Sequence, residues 1–454
     1  MDDGAGFSPF DPVELTQADA RHLIHPLYHP EDHVDPVIFV RGEGARLYDV
    51  RGQEYLDGLS GLWNVNVGHG RRELAETAAA QLETLGFCSG YTGSTSVPAI
   101  RLAARLVELS YPHLAAVFFS SGGAEANEAA FKTARFFWKA MGRPEKVKVI
   151  SREYAYHGVT LAAMSATGLS AYWPMFEPRV PGFLQVMAPY PFRFPGPPQE
   201  TGQAAATALE EAILREGPET VAAFIVEPVQ GAGGVIVPPD DYFPRVREIC
   251  TRYEILLIAD EVITGFGRTG AWFALSHWGV EPDILSFAKG VTSGYLPLGG
   301  IMVSEAIREA LLTVPPSRRW MHAYTYSGHP TCCAVGLKNL EILEREGLVE
   351  QAARKGRYLR DRLEPLYELE GVGEVRGLGM MAALELAEDR EARRPFNPEK
   401  RIGERVKREA AARGLFTRYI RDAILLAPPF VITEAEIDRL VKILREAIRA
   451  VLGR

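Results

Sequence analysis

Between about residues 115 and 305 the chain alternates short, unbroken apolar runs with longer stretches whose apolar residues recur at helical spacing. The runs are Ala115–Phe119, Val147–Ile150, Val221–Val226, Ile255–Ala259, Ile284–Phe287 and Gly300–Val303. They lack the polar alternation of a half-exposed strand, so each reads as a strand buried on both faces. Glu125–Met141 and Phe243–Tyr253 read as helices between them. This rhythm predicts an α/β fold with a mostly parallel sheet and helices on both faces. The segment Pro189–Pro198 (PYPFRFPGPP) reads as a loop, because its prolines remove donors and forbid helix. Beyond residue 331 the texture changes. Charged helical stretches at 338–369, 396–413 and 433–453 flank strand-like pieces such as Met381–Leu386. The division expected is a large domain over 65–330 and a smaller α+β domain over 331–454, completed by the N-terminal segment 1–64.

Composition narrows the class of function. The 454 residues are 47% hydrophobic and 24% charged, the balance of an ordinary globular protein. A net charge of −8 gives no basic field for nucleic acid or an anionic membrane. The longest apolar runs are strand-length, far short of a membrane span. The opening MDDGAGFSPF is acidic and lacks a secretory pattern, so a cytoplasmic location is expected. Cys88, Cys250, Cys332 and Cys333 have no metal-ligand spacing and are expected to be reduced. His22, His25, His29 and His33 have suggestive spacing, but Pro26 and Pro30 break any helix that would align them. A polar coil or a rim around an active-site mouth is the expectation there, and no metal.

In open α/β sheets, ligands gather outside the carboxyl ends of the strands. Ser120 to Asn127 (SSGGAEAN) follow the first predicted strand, and Tyr154 to Gly158 (YAYHG) follow the second. The third runs into Glu227-Pro228-Val229-Gln230-Gly231, the fourth into Asp260-Glu261-Val262, and the fifth into Ala288-Lys289-Gly290. Gly122 and Gly123 let backbone N–H groups approach an anion at a helix start; alone, they equally make a tight turn. Asp260 can hold a ring nitrogen protonated, so that the ring takes up electrons; alone, it is more often a cap or an ion-pair partner. Lys289 is one of ten lysines and closes an apolar strand. Burial there favours the neutral amine that imine formation needs, although a lone lysine at a strand end more often snorkels. Tyr156 can stack on one face of a flat ring. Val262, two residues after Asp260 and therefore on its side of the strand, can pack on the other. Packing is the bland alternative for both. The gathering of all these groups at one sheet edge points to a site.

With these residues in place the sequence closely resembles the class III aminotransferases, in particular the amine:pyruvate (ω-transaminase) branch. The resemblance spans nearly the whole chain. It runs through GLWNVNVGHGR at 61–71, SSGGAEANEAA at 120–130, YHG at 156–158, EPVQG at 227–231, DEVITGFGRTG at 260–270, AKG at 288–290 and YTYSGHP at 324–330. It implies an aspartate-aminotransferase-like fold of pyridoxal-phosphate fold type I. It also implies a homodimer with shared active sites, or a tetramer. Lys289 matches the lysine that binds pyridoxal 5'-phosphate as a Schiff base, and Asp260 the partner of the pyridine nitrogen. Gly122, Gly123 and Ala124 match the phosphate loop, Tyr156 and His157 the motif beside the ring, and Glu227 a supporting acid. Thr325 matches a threonine that reaches the phosphate from the neighbouring subunit. Trp63 matches a tryptophan of the substrate pocket, and Tyr91 an aromatic from the partner. Arg418, nine residues before Ala427-Pro428-Pro429, matches a mobile arginine that binds substrate carboxylate, with Arg421 as the rival assignment.

Two departures refine the expectation. GABA, ornithine and acetylornithine enzymes read DEVQ where this chain has Asp260-Glu261-Val262-Ile263, which favours the amine:pyruvate branch over 2-oxoglutarate. Ala124 stands where serine is common, removing one hydroxyl from the phosphate loop. A rival class comes from Gly265 to Gly270 (GFGRTG), a literal GxGxxG. A dinucleotide-binding dehydrogenase needs that run directly after its strand and opening a helix. Here Asp260–Thr264 intervene, and Ala271-Trp272-Phe273 starts a helix poorly.

Overall fold

Every residue of Val221–Val226, Leu256–Asp260 and Ile284–Phe287 is buried, which accounts for runs without alternation. They form the centre of a sheet in a computed structural model that describes residues 11–453, apart from Tyr28 and Thr92. The acidic opening, read for the absence of a secretory pattern, lies outside the described residues.

Three strands come first: β1 (Phe39–Glu43), β2 (Arg46–Asp49) and β3 (Glu54–Asp57). Seven follow: β4 (Leu114–Ser120), β5 (Lys148–Arg152), β6 (Phe183–Val186), β7 (Val221–Val226), β8 (Leu256–Asp260), β9 (Ile284–Phe287) and β10 (Gly299–Ser304). The last group is β11 (Val372–Leu378), β12 (Met381–Leu386), β13 (Leu415–Phe416), β14 (Arg418–Ile420) and β15 (Ala423–Leu426).

The large sheet has the order β4-β10-β9-β8-β7-β5-β6. Its strands run parallel except β10, which is antiparallel to both neighbours. The exception has a local cause. Residues 288–298 join β9 to β10 with only a 3-10 turn at Lys289–Val291, too little for the crossover that a parallel return needs. Helices Gly123–Ala140 and Tyr242–Arg252 lie within two residues of the stretches expected from periodicity. The short edge strand β6 escaped the pattern because its Leu184 and Gln185 are only half-buried.

The smaller layers are antiparallel: β11-β12-β15-β14 form one sheet, and β1-β2-β3 form a meander. The two-residue β13 joins that meander by pairing in parallel with β3. The closing helix Glu434–Leu452 has a capping box, in which Thr433 and Glu436 each bond the other's backbone N–H. Its buried face is Ile437, Leu440, Val441, Leu444, Ala447 and Ile448, the spacing of a helix packed on a core. Among the described residues no helix is long and apolar enough to cross a membrane.

Phe224 lies at the middle of β7 with no exposed surface. Phe224→Ala is expected to destabilise the fold by about 3–5 kcal/mol, read as a lowered thermal unfolding midpoint against wild type.

Candidate active site

Strand register brings the acids and the lysine together. Val226 pairs with Ala259 and Asp260 with Ser286. Glu227 therefore emerges beside Asp260, and Lys289 follows Ser286 by three residues, just past the end of the next strand. A cavity of about 500 Å³ opens at this edge, with Gly122, Gly123, Tyr156, Asp260, Val262 and Lys289 in its wall. Ala124, His157 and Glu227 line it as well.

The Asp260 carboxylate is buried and held from three sides. Its Oδ2 accepts from Asn127 Nδ2 at 2.7 Å and lies 2.8 Å from His157 Nδ1, while Oδ1 accepts from Val262 N–H at 3.1 Å. A carboxylate can only accept, so Nδ1 carries the hydrogen of that bond when Asp260 is ionised. Asn127 Nδ2 also donates to His157 O at 2.8 Å, tying the YHG turn to the helix Gly123–Ala140. Among the described residues, two buried polar atoms here have no hydrogen-bond partner, His157 Nε2 and Asn127 Oδ1.

Glu227 accepts from Tyr156 N–H at 2.9 Å through Oε1 and from Gly231 N–H at 3.0 Å through Oε2. Burial pushes its carboxyl above the usual range, against the pull of His157. Arg152 is also buried and donates to the Glu227 carbonyl, placing a cation behind the acid. Lys289 has φ +45°, left-handed backbone that is uncommon for a side chain with a Cβ. Burial lowers its ammonium pKa to about 8, although Asp260 and Glu227 hold it up. Arg418 pushes the other way, so its charge reaches the lysine.

The helix Gly123–Ala140 begins at the cavity. Its first backbone bond runs from Ala126 N–H to Gly122 O, so the N–H groups of Gly123, Ala124 and Glu125 precede the ladder. A Cβ on Gly123 would lie 2.8 Å from Val262 Cγ1, and one on Gly158 would lie 2.6 Å from Ala124 Cβ. Glycine at these two positions lets three segments meet around one space.

Other residues singled out by the sequence lie elsewhere. Trp63 is 2% exposed and packs in the apolar cluster that contains the wall residue Ile263. Its neighbours Leu62 and Asn64 line the cavity instead. Backbone φ is positive at Ser60, Gly61 and Trp63. Tyr91 is 61% exposed, Thr325 is exposed, and neither lines this cavity. Arg418 lies on β14, and its charge also acts on Tyr156. Arg421 is committed elsewhere, with Nη2 donating to Gly233 O at 3.1 Å and the guanidinium 4.6 Å from the Tyr154 ring centroid.

Sequence reasoning assigned no role to Asn127, although it stands one helical turn after Gly123 and on the same face. It also passed over the wall formed by Tyr295, Leu296, Pro297 and Leu298, whose signal was the glycine-rich stretch after Lys289. Gly265 to Gly270 form turns leading to a 3-10 helix at Ala274–Trp278, and no helix opens on that run. His22 ends the helix Pro12–His22, where a coil was expected. His25 and His33 stack with ring centroids 3.8 Å apart. Among the described residues no group of three or more His, Cys, Asp or Glu is placed to hold a metal.

The family model for Aminotransferase class-III matches residues 27–448. A thermostable (S)-enantioselective ω-transaminase from Thermomicrobium roseum is 49% identical and superposes with a TM-score of 0.94, over 98% of this chain and 99% of that one. The putrescine–pyruvate aminotransferase of Pseudomonas aeruginosa is 41% identical over 90% of each chain. The diaminobutyrate–2-oxoglutarate transaminase of Halomonas elongata is 39% identical over 96% of each. With its fold, the edge-clustered Lys289 and Asp260, and these similarities, the chain belongs to the class III aminotransferases, a family of pyridoxal-phosphate-dependent transaminases.

Proposed function

We propose that this enzyme transfers an amino group from a primary amine or ω-amino acid to pyruvate, giving alanine. One observation carries the acceptor: the Arg418 side chain makes no hydrogen bond or ion pair among the described residues, yet its charge acts on Lys289 and Tyr156. An unengaged guanidinium fork receives one carboxylate bidentately. Pyruvate has one carboxylate and 2-oxoglutarate two. Arg418 stands outside the cavity wall, in which Lys289 is the one cation among the described residues, so the wall itself offers no second cation beside the lysine. Ile263, where 2-oxoglutarate-using branches carry glutamine, supports the same acceptor. Arg421, already bonded to Gly233, is the weaker candidate for the carboxylate.

The residues fit pyridoxal 5'-phosphate. Gly122 faces open space and Gly123 lets Val262 approach, at the start of a helix whose first N–H groups are outside the ladder, a setting for a phosphate. His157 Nε2 and Asn127 Oδ1 are polar atoms still to be satisfied. When bound, the cofactor supplies an aldehyde that captures amines and a cationic ring that takes up electrons. Lys289 Nζ is the amine that would hold it covalently. Asp260, braced by Asn127 and His157, would keep a proton on its ring nitrogen. Tyr156 and Val262, both in the cavity wall, would pack against it, and Glu227 fixes the backbone of Tyr156. As a free amine Lys289 would take a proton from the carbon bearing the donor amine, and Arg418 would hold the acceptor carboxylate.

The remaining assignments follow the same reading. Thr325 and Tyr91 are exposed and away from this cavity, which supports their serving the site of a second copy in a homodimer. The pairing of β13 with β3 supports a small domain built from residues 1–64 and 331–454, with 65–330 binding the cofactor.

The visible band of the holoenzyme is expected to bleach with an amine donor and return with pyruvate, and not with 2-oxoglutarate. Return with 2-oxoglutarate alone would replace the acceptor assigned. Lys289→Ala is expected to reduce turnover by about 10⁴-fold, the upper range for a positioned acid–base group; near-normal turnover would remove Lys289 from its role. The neutral amine dominates above its lowered pKa, so the rate at which the apoprotein captures pyridoxal phosphate through Lys289 is expected to rise with pH through about 8. A profile falling across that range would contradict it. Gly123→Ala forces Val262 aside at an overpacking cost of about 1–3 kcal/mol. Weaker binding of pyridoxal phosphate to the apoprotein, followed by fluorescence titration, is the expected consequence.

A further inference from the structure

The glycine-rich run at 265–270 has no part in the chemistry above, yet it holds one of the largest fully buried side chains in the protein. Arg268 Nη2 donates to Asn66 Oδ1 at 2.6 Å and to Ser60 Oγ at 3.1 Å. Its Nη1 lies 2.8 Å from Pro428 O, 3.2 Å from Ala427 O and 3.4 Å from Met380 O. The guanidinium carbon stands 4.7 Å from the centroid of the Phe430 ring. Among the described residues no carboxylate forms an ion pair with it. Burial lowers its pKa to about 9, with Asp57 the acid that opposes this. A buried cation without an ion pair is expensive, so a purely space-filling reading leaves its charge unexplained.

Apart from Met380, the acceptors belong to two segments, 60–66 and 427–428, that converge on the start of β14. Ala427 N–H donates to Gly58 O at 2.7 Å, and Gly58 N–H donates to Phe416 O at 2.8 Å. Ser60 Oγ donates to Ala427 O at 2.6 Å. Within the sheet Arg418 pairs with Leu425, and Thr417 Oγ1 donates to Leu425 O. The strand end at 425–428 and the loop at 58–60 therefore form a bracket around residues 416–418, and Arg268 ties the bracket shut. The loop needs such a tie, since Ser60 and Trp63 have φ of +50° and +65°. Left-handed backbone at such residues costs about 1–3 kcal/mol each and persists only where the surroundings impose it.

We propose that Arg268 is a positioning residue for the keto-acid acceptor, fixing the backbone from which Arg418 reaches the substrate carboxylate. This rests on the role given to Arg418 above. The geometry asks for arginine, because a planar fork can address five oxygens at once and an ammonium cannot.

The test compares Arg268→Lys with wild type as holoenzymes, using one amine donor with pyruvate or with butanal, an acceptor that has no carboxylate. Misplacing a substrate-binding group by an ångström costs up to about 100-fold, so KM for pyruvate is expected to rise by about 10–100-fold. On the same footing, kcat, and kcat/KM for butanal, are expected to stay within about threefold. Ser60→Ala removes one link of the bracket without removing the charge. It is expected to raise the pyruvate KM in the same selective way but less, and it serves if Arg268→Lys does not fold. Equal losses with both acceptors, or no change with either in a folded holoenzyme, would overturn the proposal. Arg418→Ala, run in parallel, separates the two ideas. If it loses pyruvate selectively while Arg268→Lys does not, only the positioning role fails. If it leaves pyruvate unaffected, the acceptor site itself is wrong and the positioning role falls with it.

Discussion

Parallel register among β7, β8 and β9 is the constraint on which the site depends. Val226 opposite Ala259 and Asp260 opposite Ser286 leave no freedom in where Glu227, Asp260 and Lys289 emerge. A slip of one residue would exchange the faces of an entire strand, turning Asp260 out of the cavity. The six buried side chains of β7 make such a slip prohibitive. Core packing and the placement of reactive groups are in this sense one property of the sheet.

Gathering charges at a buried edge creates a problem that the neighbouring residues resolve. Asp260 receives three hydrogen-bonding partners and Glu227 receives two backbone donors and a nearby cation, Arg152. Lys289 is given no hydrogen-bond acceptor of comparable kind, and burial dominates its titration. The acids are thus braced in place while the amine is left reactive. Desolvation and specific bonding act on adjacent groups in opposite ways, and the difference separates supporting residues from the reacting one.

Much of this was legible in the sequence because it depends on local pattern. Uninterrupted runs such as Val221–Val226 announce central strands, and chemistry-bearing residues directly after them announce the cavity edge. The antiparallel return of β10 was not legible, since hydrophobicity carries no direction. Nor was β6, whose Gln185 interrupts the apolar signal. Nor was the backbone around Trp63, where Ser60, Gly61 and Trp63 itself have positive φ that only the folded chain reveals. Asn127 was visible in the sequence as a letter within a motif; its bond to Asp260 spans 133 positions and has no local signature.

The pairing of β3 with β13 also bears on how the chain is made. Leu56 and Asp57 find their partners in Leu415 and Phe416, almost at the other end of the molecule. At translation rates of about 5–20 residues per second, roughly 20–70 s pass before that partner is synthesised. During this interval one edge of the N-terminal meander has unpaired backbone groups, open to any strand that meets it. The small sheet that joins residues so far apart in sequence therefore makes a nascent chain most vulnerable to mispairing until residues 415–416 exist.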